Sequence, residues 1–186
     1  DILKNSLKDG GCAGIILNTV ARAQDFAQKL SECFPECEMI QMHSQFIISD
    51  RAEIEREILK RAGKNSIPEQ RNKLIIVGTQ VLEQSLDIDF DVMITDLCPM
   101  DLLLQRIGRE HRHKGRKRPL CLQKAKCYVL TETRVVYDKW LLQRTADKLP
   151  EYFCLPDDIP VYVQDVYAEP NEDEKNDLWD EYMRHL

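Results

Sequence analysis

Short apolar runs alternate with longer amphipathic segments along this chain, and that alternation constrains its fold more than any other feature. Buried strands are predicted for five runs, at residues 12–17, 38–43, 73–78, 91–95 and 125–130. Helical spacing of apolar residues predicts four helices, from residue 20 to about 35, from 49 or 50 to 63, from 100 to about 113, and from 135 to about 149. This order is typical of an α/β domain with a mostly parallel sheet and helices on both faces.

Polar residues come directly at the ends of the predicted strands. They are Asn18-Thr19, His43-Ser44, Thr79-Gln80 and Asp96. Because open α/β sheets bind ligands beyond the carboxyl ends of their strands, we expect these residues to line one rim of the sheet. Three of them have a structural alternative, since Asn18 or Thr19 can cap the helix that follows and His43 can be an ordinary core or rim histidine.

The length and composition indicate one modest domain with an extension. With 186 residues, of which 43% are hydrophobic and 31% charged, the chain can bury a core. We predict a domain over residues 1–149, followed over 150–186 by a linker or the start of an accessory region, where prolines and acids accumulate. The missing initiator Met indicates a piece of a longer protein. The chain contains no run of about 18 apolar residues and no basic-then-apolar start, so neither a membrane span nor a signal peptide is expected.

The cysteines and histidines suggest no metal site. Seven cysteines occur without any C-x-x-C pair, and the four histidines form no recognisable metal motif. Reduced thiols in the cytoplasm are favoured over a zinc site or disulfides.

The charge is distributed unevenly. The net charge is −6, but residues 105–118 hold seven Lys or Arg and a single acid, whereas residues 165–186 hold eight acids. Screening limits each charge to roughly 10 Å at moderate salt, so a basic patch on an acidic domain can still follow a phosphate backbone. A solvated loop is an equally good interpretation of residues 114–118.

One segment, QRIGREHR at residues 105–112, concentrates phosphate-seeking side chains. If it is helical, Gln105, Arg109 and Arg112 share a face, and Gly108, which has no side chain, leaves space beside them. The forked guanidinium of arginine suits phosphoryl oxygens, so the segment predicts a sensor of a nucleotide triphosphate. A solvated basic helix is the alternative. Glu110 is expected to pair with Lys114 and point away from the phosphate.

Together, residues 79–89 and 105–112 resemble motifs V and VI of superfamily 2 helicases. The spelling EQSLDID at residues 83–89 is closest to the CRISPR-associated helicase-nuclease of type I systems. The resemblance extends from about residue 14 to about residue 131. It implies a second RecA-like domain, with the three-layer architecture already expected and a C-terminal extension.

The resemblance also implies roles for particular residues. Arg109 and Arg112 would be arginine fingers, with Gln105 positioning them or a water, and Gly108 beside them at the nucleotide. Asp87 would approach the ribose of ATP or organise the catalytic site, although it can also be a turn-former. The implied contacts with the nucleic-acid strand are Thr79, Gln80, Asn18, Thr19, His43 and Ser44.

The chain lacks a G-x-x-x-x-G-K-[ST] loop and an Asp-Glu-x-His box, so we expect no ATP hydrolysis by this chain alone. ATP and Mg²⁺ would be bound mainly by a first RecA-like domain. The other implied partners are a nuclease domain of the same parent chain, single-stranded DNA and a guide-RNA surveillance complex, with no membrane. Charge and spacing do not separate DNA from RNA. The alternatives are another superfamily 2 helicase or translocase, and a non-enzymatic nucleic-acid-binding module.

Overall fold

A single parallel sheet organises the domain. The computed structural model describes residues 1–84, 86–132 and 136–185, and within these residues five strands pair in the order β2-β3-β1-β4-β5. They are β1 Cys12–Ile16, β2 Glu38–Met42, β3 Leu74–Gly78, β4 Val92–Asp96 and β5 Cys127–Leu130. All four neighbouring pairs are parallel. The five predicted strands are therefore confirmed, with ends that differ by one or two residues.

Eight α-helices accompany this sheet in the described parts of the chain. They are α1 Ile2–Ser6, α2 Val20–Cys33, α3 Ile48–Ala62, α4 Val81–Gln84, α5 Met100–Ile107, α6 Lys139–Asp147, α7 Ile159–Tyr167 and α8 Asp177–His185. The helices α1, α4, α7 and α8 were not predicted. The predicted end of α5 at about residue 113 is wrong, because the helix stops at Ile107. The predicted start of α6, Val135, and Ser85 of the helicase-like motif lie outside the described residues.

The strands read as continuous apolar runs because helices cover both faces of the sheet. On one face, Ala13 and Ile15 of β1 share a buried cluster with residues of α1 and α2, including Ala27. On the other face, Cys12 and Ile16 share a cluster with residues of α3 and α4, such as Ile58. Every residue of β1, β3 and β4 is buried. Helices on both faces of a parallel sheet were the predicted architecture.

The segment after residue 149 packs onto the domain. A third buried cluster joins Leu103 and Leu104 of α5 to Val166 of α7. The guanidinium of Arg144 in α6 reinforces this contact, donating to the backbone carbonyls of Asp165 (2.6 Å) and Val166 (3.4 Å). A division of the chain at residue 149 stays a prediction.

The register of the strands brings their carboxyl ends to one edge. Ile16 at the end of β1 pairs with Gly78 at the end of β3, which pairs in turn with Met42 at the end of β2. On the other side, Ile16 pairs with Thr95 of β4. The residues that follow these positions therefore lie along one rim, as predicted. We call the positions Thr19, His43, Ser44, Thr79 and Gln80 the strand rim.

Each of the seven cysteines is a free thiol. None of the helices in the described residues has both the length and the hydropathy needed to cross a membrane.

Candidate functional site

The strand rim combines buried anchors with exposed polar groups. Thr19 is the N-cap of α2, and its side chain accepts a hydrogen bond from the backbone N–H of Arg22 at 3.2 Å, which confirms its predicted capping role. Thr79 is 2% exposed, and its N–H donates to the carbonyl of Met42 at 3.2 Å. Gln80 is half-buried, with Nε2 3.3 Å from the hydroxyl of Tyr137. The rim backbone is thus held firmly at its centre.

His43 and Ser44 differ sharply in exposure. His43 is 4% exposed, and its ring stacks on Phe46 with a centroid distance of 4.2 Å. Its Nε2 lies 3.3 Å from Gln24 Nε2. Burial lowers the pKa of His43. Ser44 is exposed and can reach a ligand at the rim.

A buried polar network lies beneath the rim. Asp96, which is fully buried, accepts from the backbone N–H of Asn18 (3.0 Å) and from Arg22 Nε (2.9 Å). The Oδ1 of Asn18 accepts from Arg106 Nη1 at 3.1 Å, and Arg106 Nε lies 2.5 Å from Glu83 Oε2. Burial raises the pKa of Glu83, and the adjacent Arg106 opposes that rise. Asn18 therefore has a structural role inside the domain, and its contact with a nucleic-acid strand stays a prediction.

Arg106 was missed as a structural residue. Sequence reasoning counted it in the basic stretch, but its side chain is completely buried. The signal that could have found it is helical spacing, because Arg106 follows the buried Leu103 by three positions and so lies on the inward face of α5.

Arg109 lies beyond the end of α5 rather than on its surface. Gly108 caps the helix, and the chain then turns to pair with Phe90, whose N–H donates to the carbonyl of Arg109 at 2.8 Å. In the second hydrogen bond of this pairing, the N–H of His111 donates to the carbonyl of Phe90 at 3.0 Å. The prediction that Gln105, Arg109 and Arg112 share a helical face is therefore wrong. A tertiary pairing next to β4 replaces the last helical turns.

The guanidinium of Arg109 is docked onto the connection that leads from β3 to β4. Its Nε donates to the carbonyl of Glu83 at 3.2 Å, Nη2 also donates to that carbonyl, and Nη1 donates to the carbonyl of Leu86 at 2.9 Å. Burial lowers the pKa of Arg109, and the charge of Arg112 lowers it further. Neutral carbonyls hold this cation, and it remains half-buried.

Arg112 and Asp87 form an ion pair beside Arg109. Arg112 Nε lies 2.8 Å from Asp87 Oδ1, and the two side chains are 42% and 52% exposed. Arg109, Arg112 and Asp87 thus lie close together. Gln105 is exposed on α5 and makes no hydrogen bond to either arginine in the described structure. Gly108 leaves limited room, since a Cβ there would lie 3.3 Å from the carbonyl oxygen of Leu104.

Much of the predicted basic patch is turned inward. Arg118 Nη2 donates to both carboxylate oxygens of the fully buried Asp89 at 2.8 Å, and Arg116 also pairs with Asp89. Asp91 is 1% exposed and pairs with Arg71 at 2.8 Å and with Arg118. Asp89 and Asp91 are the centre of a buried ion-pair cluster.

Glu110 also points inward, so its predicted pairing with Lys114 is wrong. It is 8% exposed, and Oε1 accepts from the backbone N–H of Lys126 at 2.6 Å. Burial raises the pKa of Glu110 from its ordinary value of 4.5 to about 7. Its carboxyl group therefore connects the segment after α5 to the chain that leads into β5.

A comparison of the sequence with known families assigns the chain to one of them. The model of the C-terminal part of the CRISPR-associated nuclease/helicase Cas3 matches residues 9–115, which is more than half of the chain. The chain belongs to this family. The Cas3 nuclease/helicase of Streptococcus thermophilus is 49% identical over 176 residues, which cover 90% of this chain and 19% of that protein.

Solved structures agree with the assignment and establish the RecA-like fold. A crystal structure of T. fusca Cas3 with AMPPNP matches 99% of this chain and 22% of its own, with a TM-score of 0.87 and 35% identity. A structure of a CRISPR RNA-guided surveillance complex before nicking matches 98% of this chain and 24% of its own, with a TM-score of 0.81 and 34% identity. This Cas3 helicase domain thus spans about a fifth of the length of these relatives.

Proposed function

We propose that this Cas3 domain is the strand-holding and arginine-finger half of an ATP-dependent translocase of single-stranded DNA. Arg109 and Arg112 would reach the γ-phosphate of an ATP bound mainly by the first RecA-like domain of the longer protein. The observation that carries the proposal is the meeting of Arg109, Arg112 and Asp87 at one surface, although they come from separate segments. Closure of the two domains would bring this group onto the nucleotide.

The docking of Arg109 supports a role that requires movement. A hydrogen bond from a guanidinium to a neutral carbonyl is weaker than a forked bond to a phosphoryl oxygen, which carries charge. Moving Arg109 from the carbonyls of Glu83 and Leu86 to a γ-phosphate is therefore favourable once the phosphate arrives. Between cycles of ATP hydrolysis, the docked state would keep the guanidinium near the interface with the first RecA-like domain.

The ion pair of Arg112 is easily exchanged. Exposed pairs contribute about 0 to 1 kcal/mol, so breaking the contact with Asp87 costs little. Arg112 is then free for phosphate, and the carboxylate of Asp87 becomes an acceptor for a ribose hydroxyl. Gln105 and Gly108 would act from the neighbouring turn, Gln105 by orienting an arginine or a water.

The donor set fits ATP phosphates but does not fit magnesium. Among the described residues, no group of three His, Cys, Asp or Glu side chains could hold a metal ion. We assign Mg²⁺, which would neutralise phosphate charge, to the first domain. Without that domain, this chain would not hydrolyse ATP.

The strand rim would hold the nucleic-acid backbone. Ser44 is exposed, and Gln80 and Thr19 are accessible in part, so their polar groups can meet phosphate or sugar oxygens. Thr79 and His43 are too buried to present whole side chains, and they would act through backbone groups or ring edges. Cycles of closure would move the strand toward a nuclease domain of the longer protein, acting in the cytoplasm in CRISPR antiviral defence after a guide-RNA complex has opened its target.

The test is ATP hydrolysis by the longer protein with no nucleic acid, with single-stranded DNA and with single-stranded RNA of the same sequence. We expect DNA to stimulate turnover and the present chain alone to show none. Stimulation by RNA only would favour another superfamily 2 helicase activity. Absence of turnover with either strand would leave a non-enzymatic binding module.

A further inference from the structure

A cavity lined by basic side chains lies in the loop that follows the proposed arginine fingers. Its volume is about 540 Å³, within the range of small-ligand sites. Its polar lining comes from Lys114, Arg116, Lys117, Arg118, His111 and His113, together with Gln123, and no carboxylate side chain of the described residues lines it. We call this cavity the basic cup.

The basic cup is remote from the strand rim. The loop is attached through His111 to Phe90, just before β4 begins, whereas Asp96 ends β4 at the rim. At roughly 3.3 Å per residue, the span from Phe90 to Asp96 is about 20 Å. One phosphate group cannot contact both places.

Buried ion pairs fix the floor of the cup. Arg116 donates to the carbonyls of Ser66 and Gly63 at 2.9 Å, and both Arg116 and Arg118 pair with Asp89. Both arginine side chains are about nine-tenths buried or more. A loop held in this way need not be ordered by its ligand, and preorganisation lowers the cost of binding.

The wall of the cup offers cations without acidic partners. Lys114 and Lys117 are exposed, and neither forms an ion pair with a described residue. Gly115 lies between Lys114 and Arg116 at φ +78°, where nothing stands within 4 Å of the position of a Cβ. The Nε2 of His113 is buried without a hydrogen-bond partner, although it lies 3.5 Å from Asp87 Oδ1.

We propose that the basic cup binds contiguous phosphate groups, at a site remote from the strand rim. The buried arginines hold the loop in place because they already pair with Asp89 and Asp91, while Lys114 and Lys117 supply mobile point charges that can follow a ligand of varied shape. A single carboxylate carries one negative charge for the two unpaired lysines, whereas adjacent phosphates carry several charges along the cavity. The phosphates can belong to a nucleotide or to a nucleic-acid backbone.

The test is binding of inorganic tripolyphosphate to the 186-residue chain, measured by calorimetry at low salt and mapped by amide NMR shifts. The variant Lys114→Gln/Lys117→Gln is compared with Lys29→Gln/Lys60→Gln, which changes net charge equally at exposed lysines of α2 and α3. We expect a Kd of millimolar order or tighter, weakened about tenfold in the cup variant and less than about twofold in the control. The shifts should centre on Gly115.

Equal weakening in both variants would overturn the proposal, because it would show attraction by net charge alone. Shifts centred on the strand rim or on Arg109, or no binding at millimolar tripolyphosphate, would also overturn it. Competition by ATP or by an oligothymidylate then identifies the source of the phosphates, and competition by either supports the site. Melting temperatures confirm that both variants are folded.

Discussion

The buried pair between Glu83 and Arg106 should contribute far more stability than the exposed pair between Asp87 and Arg112. Both pairs are close, at 2.5 Å and 2.8 Å, so distance does not separate them. Burial distinguishes the two pairs, since the side chains of the first pair are 0% exposed and those of the second are 52% and 42% exposed. We therefore compare Glu83→Ala with Asp87→Ala.

The expected magnitudes follow from what each truncation leaves behind. Glu83→Ala leaves the guanidinium of Arg106 charged inside the protein, which costs about 3 to 5 kcal/mol. Asp87→Ala leaves Arg112 in contact with water and costs about 0 to 1 kcal/mol. For a chain of this size, about 2 to 4 °C of Tm per kcal/mol converts the first loss to about 6 to 20 °C.

Urea denaturation and thermal melting of the 186-residue chain measure both losses. Similar losses in the two variants, or a loss below about 1 kcal/mol for Glu83→Ala, would refute the reasoning that burial decides the value of these pairs.

Other single contacts give smaller or pH-dependent effects. Thr19→Ala removes the cap of α2 and should cost about 1 kcal/mol in urea denaturation, whereas Thr19→Ser should cost little; equal losses would exclude the cap as the cause. Because the folded-state pKa of Glu110 is raised to about 7, the folded protein binds this proton more tightly, and stability should fall as pH rises from about 4.5 to about 7. Glu110→Gln should remove that loss, which is at most about 3 kcal/mol, and urea denaturation curves with the same pH dependence in variant and wild type would contradict it. Gly14→Ala places a Cβ 2.4 Å from the ring of Phe90 and should cost about 1 to 3 kcal/mol in the same assay, whereas Gly108→Ala, with nothing closer than 3.3 Å, should cost clearly less; the reverse order would contradict this packing argument.

The sheet could be predicted because its signal is local. Strands covered on both faces must be apolar throughout, and each run is readable without knowledge of its neighbours. Thr19 as a cap is local for the same reason, since its partner is three residues away. The position of the strand rim could be predicted from the parallel direction of the strands alone, because parallel strands end at the same edge of the sheet.

The end of α5 and the fate of the basic residues could not be predicted in the same way. The helix stops because the chain pairs with Phe90, which is distant in sequence. Arg118 finds Asp89 across 29 positions, and Arg106 finds Glu83 across 23. From the sequence, such arginines are interpreted as surface charges, and only the tertiary structure reveals their buried partners.

The most direct test of the proposed function is kcat for ATP hydrolysis by the longer protein at saturating single-stranded DNA, with Arg109→Ala compared with Arg56→Ala. Arg56 is an exposed arginine of α3 whose Nε donates to the carbonyl of Ala52 in the same helix, and it serves as the matched control. We predict a fall of at least about a hundredfold for Arg109→Ala, with an unchanged control and a folded variant. Turnover equal to wild type in Arg109→Ala would contradict the arginine-finger role and leave Arg109 as a structural clamp on Glu83 and Leu86.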